Sequence, residues 1–288
     1  MGLRIATNVP SLNAQRNIVS TQKGLNGSFA KLSSGYRINQ AADDAAGLAI
    51  SESLKAKIRG IRQAKKNAND GISIISITDG AMEQITNSLT RLAELAEQSA
   101  NGVYDTTQRS ALQLEFEAVG SEIQRIAETT EFNGLKLLTQ SETVTFQVGF
   151  DGFSNSQISF TGVQATLSAI GLATTSGSNA LSFSLNDVTS IRAQEASRSA
   201  LNAVQFAIDS LTRARGTLGS TESRLNITIE NLQVARENFA AAESRIRDVD
   251  VAFEAAEMTR LNILQQAATS ILAQANQQPQ LALSLLQR

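Results

Sequence analysis

The sequence predicts a mainly α-helical fold: a long antiparallel helical rod or coiled coil formed by the N- and C-terminal segments, with a small β-hairpin region in the middle. Two observations support this fold class. Apolar residues recur at alternating spacings of three and four on both sides of residues 139–186, whereas inside that region the alternation has period two. Aromatic residues make up only 5% of the 288 residues, and an apolar content rich in Ala, Leu, Ile and Val favours slender helix-on-helix packing.

The first predicted helix carries an apolar row followed by a stop signal. The row consists of Ile18, Leu25 and Leu32, one heptad apart, with Phe29 between the last two. Gly35 is the residue type that most readily adopts the left-handed conformation that ends a helix. Gly24 and Gly27 each weaken the helix by roughly 1 kcal/mol relative to Ala, so we expect it to be marginal in isolation.

The second and third predicted helices follow directly. The second begins near Asp43-Asp44, whose carboxylates suit a helix N-terminus, and closes at Asn101-Gly102. Its apolar row is Leu54, Ile58, Ile61, Ala68, Ile72, Ile75, Met82, Leu89 and Ala96. The third runs from about residue 106 to residue 130 and is terminated by residues 132–134. Its apolar row is Leu112, Phe116, Val119, Ile123 and Ile126.

The middle of the chain changes to strand-like alternation. Turn residues at 149–155 separate two alternating runs, which are Val144, Phe146 and Val148 in the first and Ile158 and Phe160 in the second. The pattern predicts two paired strands. The chain must reverse here if the C-terminal helices are to pack back along the N-terminal ones.

The fourth predicted helix is the longest. Its apolar row runs from Leu201 to Ile246, which at 1.5 Å per residue is roughly 69 Å and requires equally long partner helices. After a break at residues 248–250, a fifth, shorter helix is expected to end at Pro279. The apolar row of this fifth helix is Leu261, Leu264, Ala268, Ile271 and Ala275.

The composition predicts a protein that is not an enzyme and has no cofactor or metal. His and Cys are both absent, which removes the commonest general base, most nucleophile pairs and the usual zinc ligands. Asp43-Asp44 suits a helix N-terminus, and Asp248 and Asp250 mark a break between helices rather than a metal site.

Charge and hydropathy argue against two further classes of partner. The 25 basic and 27 acidic residues form no long run of either sign, so we expect no nucleic-acid binding. No uncharged apolar stretch is long enough to span a bilayer, so we expect no membrane insertion. The N-terminus lacks the apolar segment of a cleaved secretory signal, so any export would use an uncleaved one.

Strings near both ends of the chain resemble bacterial flagellin. In the N-terminal region they are SLNAQR (11–16), LSSGYRIN (32–39) and ADDAAGLAI (42–50), preceded by Thr7-Asn8. In the C-terminal region they are SRIRDVD (244–250), ILQQA (263–267), LAQANQ (272–277) and LSLL (283–286). The chain resembles a short form of the family without the large variable outer domains, because only the β region lies between the two halves.

This resemblance implies a structural subunit of the bacterial flagellar filament. It implies that residues 1–42 plus 252–288 form the inner terminal coiled-coil domain in the filament core, and that residues 43–251 form the outer helical rod domain. It also implies export without a cleaved signal peptide, polymerisation at the tip of an extracellular flagellum, and swimming motility. The implied partners are other copies of the chain, an export chaperone, the type III export apparatus, the filament cap, hook-associated proteins and a host innate immune receptor.

Two sets of residues follow from the resemblance, and two alternative functions stay open. The terminal helix seams expected to take part in assembly are Ile18, Leu25, Phe29, Leu32, Leu261, Leu264, Ile271, Leu285 and Leu286. The implied receptor contacts are Arg91, Leu95 and Glu115, although the same residues would serve equally as ordinary helix surface. The alternatives are a hook–filament junction protein, which shares the terminal architecture, and a cytoplasmic helical scaffold, which the heptads alone would support.

Overall fold

A computed structural model describes residues 7–173, 181–186 and 189–286, without the side chains of residues 190 and 278–286. In this part of the chain the α helices are α1 (Val9–Ser34), α2 (Ala45–Ala100), α3 (Thr106–Thr129), α4 (Ser190–Arg247) and α5 (Val251–Leu286). The strands are β1 (Glu131–Phe132), β2 (Leu135–Lys136), β3 (Thr143–Gln147) and β4 (Gln157–Thr161). The chain forms two compact units, the first containing residues 1–58 and 236–288 and the second containing residues 59–235.

The predicted fold class is confirmed: the chain is mainly helical, its terminal helices pack together, and small antiparallel strand pairs lie in the middle. The predicted helix boundaries differ from the structure at two places. Helix α4 begins at Ser190, before the first residue of its apolar row. Helix α5 continues to Leu286, so the prediction that Pro279 ends it is wrong.

The continuation of α5 past Pro279 has a local explanation. Proline has no N–H, so the carbonyl four residues earlier, that of Ala275, loses its helical donor. Asn8 supplies the missing hydrogen bond, because its Nδ2 donates to the Ala275 oxygen at 2.8 Å. A side chain from the other end of the sequence therefore satisfies the helix where proline would otherwise leave it unpaired.

The second unit holds a continuous apolar core. The buried face of α2 follows a strict heptad row, and α4 contributes a matching one. These rows are Ile61, Ala68, Ile75, Met82, Leu89 and Ala96 on α2, and Val204, Leu211, Leu218 and Leu225 on α4. Phe116 and Ile123 of α3 join the same cluster. The parts of the predicted rows that lie within residues 59–235 therefore contribute to the intramolecular core of this unit.

The strands form two separate hairpins in the second unit. β1 and β2 are joined by Asn133 and Gly134, which both have positive φ, so these residues form a tight hairpin turn rather than the end of α3. β3 and β4 pair antiparallel with Phe146 opposite Ile158, as the alternation predicted. The hairpin lies over α2 at Gly71, where an added Cβ would meet the Phe146 ring at 3.2 Å. Residues 174–180 and 187–188 of the sequence lie outside the described part.

Candidate assembly interface

Helices α1 and α5 form an antiparallel pair in the first unit. Ser11 Oγ donates to Asn276 Oδ1 at 2.8 Å near one end of the pair, and Gln265 Nε2 donates to Gln22 Oε1 at 2.6 Å farther along. Nearer the N-terminus of α5, a Cβ on Gly24 would lie 3.4 Å from the Leu261 side chain. A methyl group at Gly24 would therefore make an ordinary van der Waals contact with Leu261, and the two helices lie side by side at this point.

Most of the fully buried side chains on the inner face of this pair are small or polar, and Leu25 is the large apolar one among them. The buried residues of the pair are Ser11, Ala14, Leu25, Ser28, Glu254 and Ala275. Glu254 is only 6% exposed, accepts a hydrogen bond from Ser28 Oγ at 2.6 Å and lies 3.8 Å from Lys31 Nζ. Leu25 is buried, but most other fully buried side chains of the pair are small or polar, which limits the hydrophobic contribution to the pairing.

Several large apolar side chains of the pair are exposed instead. On α5, Phe253, Leu264 and Ile271 are 70%, 42% and 57% exposed, and their spacings of eleven and seven residues put them on one helix face. We call these three residues the outer apolar stripe. On α1 the exposed apolar residues are Val9, Leu12, Val19 and Phe29. Exposed large apolar side chains repeated along one helix face indicate an interaction site.

The residues predicted for assembly divide between these two faces. Leu25 is buried, and Ile18, Leu32 and Leu261 are half-buried within the pair. Phe29, Leu264 and Ile271 are exposed. The side chains of Leu285 and Leu286 lie outside the described part of the structure. Sequence reasoning omitted Phe253, whose signal was its eleven-residue spacing to Leu264.

Two linkers connect the terminal pair to the helices that follow and precede it in the chain. Linker residues 35–37 pair with residues 246–249 through an isolated antiparallel bridge between Tyr36 and Asp248. Arg37 N donates to Arg247 O at 2.6 Å, and Val249 N donates to Gly35 O at 3.0 Å. We call this paired segment the linker clasp. Gly35 also ends α1 in the left-handed conformation, at φ 74°, as the sequence predicted.

Hydrogen bonds to a carboxylate shape the rest of the first linker. The Asp43 carboxylate accepts the backbone N–H groups of Gln40 and Asn39 at 2.9 and 3.0 Å, and these bonds lower the pKa of Asp43. Asp44 Oδ1 accepts Gly47 N at 2.8 Å at the start of α2. Both carboxylates therefore stabilise a turn and a helix start, in agreement with their predicted structural role.

The residues implied as receptor contacts lie in the second unit. Arg91 and Glu115 are exposed and form an ion pair across α2 and α3, with Arg91 Nη2 2.6 Å from Glu115 Oε1. Arg91 also binds Glu94 at 2.8 Å, and these carboxylates raise the pKa of the Arg91 guanidinium. Leu95 is 0% exposed, so its side chain has no surface to offer a partner in this structure.

Within the described ranges, no group of three or more acidic side chains is arranged to hold a metal ion. In the same ranges, no helix combines the length and the apolar character that crossing a bilayer requires.

Comparisons with known proteins give consistent matches. A family model described as the bacterial flagellin N-terminal helical region matches residues 5–143, and one described as the bacterial flagellin C-terminal helical region matches residues 201–286. A flagellin of Halalkalibacterium halodurans is 44% identical over 97% of this chain and 98% of its own length. A flagellin of Bacillus subtilis is 41% identical over 99% of this chain and 100% of its own length.

A solved structure shows the same fold at low identity. It is a Vibrio parahaemolyticus protein described as flagellar and hook-associated, with a TM-score of 0.58 and 13% identity. The match covers 72% of this chain and 100% of that one.

Proposed function

The chain belongs to the bacterial flagellin family, and from that membership we propose that it polymerises into the extracellular flagellar filament through the outward faces of α1 and α5. One observation carries the proposal: most fully buried side chains of the terminal pair are small or polar, whereas Phe253, Leu264 and Ile271 are exposed on one face of α5. Burying an exposed Leu, Ile or Phe side chain is worth about 1.5–3 kcal/mol. Several such groups covered by neighbouring copies would supply the free energy of a polymer.

The proposed division into domains follows from the difference in burial between the terminal helices and the central helices of the chain. Residues 1–42 and 252–288 act as the inner coiled coil of the filament, and residues 43–251 act as the outer helical domain. The thin core of the α1–α5 pair supports this division, because its pairing gains most of its stability when further copies cover it.

Export and assembly partners form part of the proposal. The chain is exported unfolded through a type III apparatus with the help of a chaperone, without a cleaved signal, and is added beneath a filament cap next to hook-associated proteins. The absence of Cys supports export, because no disulfide or thiol chemistry changes between the two redox compartments. Rotation of the resulting helical filament would drive swimming.

Recognition by a host innate immune receptor is proposed at Arg91 and Glu115, with Leu95 supporting the surface from below. The exposed position of the two charged residues supports this assignment.

The filament role is favoured over that of a hook–filament junction protein. The two flagellins are more than 40% identical to the chain and are covered almost completely, whereas the hook-associated protein is 13% identical and shares the fold alone. Purified chain that elongates into long filaments on seeding would separate these roles. Detection of the chain on cell-surface filaments would exclude a cytoplasmic scaffold.

Charge substitutions in the outer apolar stripe test the assembly surface. Leu264→Asp and Ile271→Asp place a carboxylate where apolar burial is proposed, at a cost of several kcal/mol per site. We expect the critical concentration for seeded elongation to rise at least about a hundredfold, since 1.4 kcal/mol is a tenfold change. Gln266→Asp is the matched control, because Gln266 is exposed and polar on the same helix.

The urea unfolding of the second unit should be the same in all three variants, because its core contains no residue of α5. Elongation of Leu264→Asp and Ile271→Asp at the rate of the parent chain would contradict the proposed interface.

A further inference from the structure

We propose that Arg247 is a positioning residue that closes the linker clasp, so that the α1–α5 pair is held in a fixed orientation to the adjoining ends of α2 and α4. The consequence for assembly rests on the proposed function, whereas closure of the clasp does not.

The Arg247 side chain, at the end of α4, contacts the first linker and α2 at once. Its guanidinium stacks on the Tyr36 ring, with 4.5 Å between the Arg247 Cζ and the ring centroid. Its Nη1 lies 2.7 Å from Glu52 Oε1. Its backbone carbonyl accepts the Arg37 N–H. The side chain is only 13% exposed although it carries a charge at the end of a helix. A single residue therefore ties the first linker, the start of α2 and the end of α4 together.

The backbone bonds of the clasp need this support. One isolated bridge with two flanking backbone hydrogen bonds is a very short two-stranded pair, and such pairs are marginal in water. A planar guanidinium can stack on an aromatic ring and donate to a carboxylate in the same conformation. The arrangement of Tyr36 and Glu52 on either side of Arg247 uses both properties.

The consequence of closure follows from the length of the linkers. Residues 248–250 separate α4 from α5, and residues 35–44 separate α1 from α2. If the linkers moved independently, the α1–α5 pair could form and yet point in many directions. A closed clasp removes that freedom in advance, and pre-organisation of this kind lowers the entropic cost of adding a subunit to a polymer.

The test compares two arginines in the last turn of α4. Arg247→Met removes the charge and the planar stack but keeps a long apolar side chain, and Arg245→Met is the control because Arg245 is exposed. Amide hydrogen exchange is measured on the full-length, unassembled chain at Arg37 and Val249, whose N–H groups donate across the clasp. We expect exchange at both amides to be at least tenfold faster in Arg247→Met and unchanged in Arg245→Met. Arg247→Lys, which keeps the charge but not the planar stack, should give an intermediate rate.

A cross-link shows whether the helical pair itself survives. The chain has no native Cys, so a short thiol-specific cross-linker between Gly24→Cys and Leu261→Cys reports α1–α5 pairing, because the two positions are in contact across the helices. In the double-cysteine chain, we expect the yield of intramolecular cross-link to be the same with and without Arg247→Met. In a chain without the added cysteines, we expect Arg247→Met to elongate on seeds at least tenfold more slowly than the parent chain.

Three results would overturn the proposal. Unchanged exchange at Arg37 and Val249 in Arg247→Met would show that the clasp does not depend on this residue. Loss of the cross-link in Arg247→Met would show that the residue holds the helical pair rather than the linkers. Faster amide exchange in Arg247→Met combined with a normal elongation rate would show that the clasp closes through Arg247 but has no role in assembly. Failure of the parent chain to elongate would instead contradict the proposed function and leave the exchange result standing.

Discussion

At the scale of single residues, the structure shows polar groups placed where they hold segments together. Gln124 is 1% exposed on α3, and its side-chain oxygen accepts Leu167 N at 3.0 Å while its amide donates to Glu128 at 2.7 Å. Gln113 likewise accepts Leu185 N at 2.6 Å. Each glutamine pairs a backbone N–H of the segment after β4 that would otherwise be unsatisfied on burial, and so fixes that segment against α3.

The ion pair between Arg215 and Asp79 joins α4 to α2 in the second unit. Arg215 Nε lies 2.7 Å from Asp79 Oδ1, and this hydrogen bond lowers the pKa of the Asp79 carboxyl. The side chains of Arg215 and Asp79 are 32% and 41% exposed, so solvent screening weakens the contribution of this ion pair to stability.

We expect Arg215→Met to lower the free energy of unfolding by about 0.5–1 kcal/mol at neutral pH. Asp79 binds its proton less readily in the folded state, so its contribution is fully present above the ordinary pKa of 3.8 and is lost as the pH falls through the lowered value. Urea unfolding across this range should therefore show the two chains converging in acid. Arg213→Met, at an exposed position on the same helix, should show no such pH-dependent difference. A deficit in Arg215→Met that stays constant in acid would contradict the ion-pair explanation.

At the scale of elements, glycines in the long helices have different roles that depend on what they face. A Cβ on Gly71 would lie 3.2 Å from the Phe146 ring of β3 and 3.3 Å from Leu225 of α4. A Cβ on Gly80 of the same helix would meet nothing within 4 Å. Gly71 is therefore the place where the β3–β4 hairpin approaches α2, whereas Gly80 only weakens the helix.

We expect Gly71→Ala to destabilise the second unit by about 1–3 kcal/mol, because the hairpin and α4 must shift to admit the methyl group. Gly80→Ala should stabilise it by about 0.5–1 kcal/mol through helix propensity alone. Urea unfolding followed by circular dichroism measures both, and each variant serves as the control for the other. Equal effects at the two positions would show that the hairpin does not pack closely at Gly71.

At the scale of the whole molecule, the two units differ in how their stability arises. The second unit buries continuous apolar rows from α2, α3, α4 and the β3–β4 hairpin. The first unit buries few large apolar residues along α1 and α5 and exposes many. An apolar core that is complete within one chain supports independent folding, whereas an incomplete one makes stability depend on neighbouring copies.

We expect a chain lacking residues 252–288 to remain a helical monomer that does not form filaments. Helical circular dichroism should persist apart from the loss of α5, and unfolding of the second unit should stay cooperative, because its core is intact. Seeded elongation should be absent, since the outer apolar stripe is deleted. The full-length chain at the same concentration is the control. Complete loss of helical circular dichroism would show that the core of the second unit depends on α5.

The residues predicted for assembly show where apolar spacing was enough to predict which side chains are buried and where it was not. Heptad spacing identified the buried rows of α2 and α4 because a long helix must present one face to its partners. On α1 and α5 the same spacing selected both half-buried residues such as Ile18 and exposed ones such as Ile271. Spacing gives the face of a helix, but it does not say which of two apolar faces meets a helix of the same chain.

The sequence by itself determined the helical class, the long heptad rows, the left-handed stop at Gly35, the paired strands and the absence of His and Cys chemistry, because these depend on local periodicity and residue type. Only the tertiary structure decided that α5 continues past Pro279, that Glu254 is buried against Ser28, and that Arg247 lies between Tyr36 and Glu52. Each of these depends on a contact between residues far apart in the chain. Asn8 can satisfy the Ala275 carbonyl only after the two termini have been brought together, and no local pattern encodes that meeting.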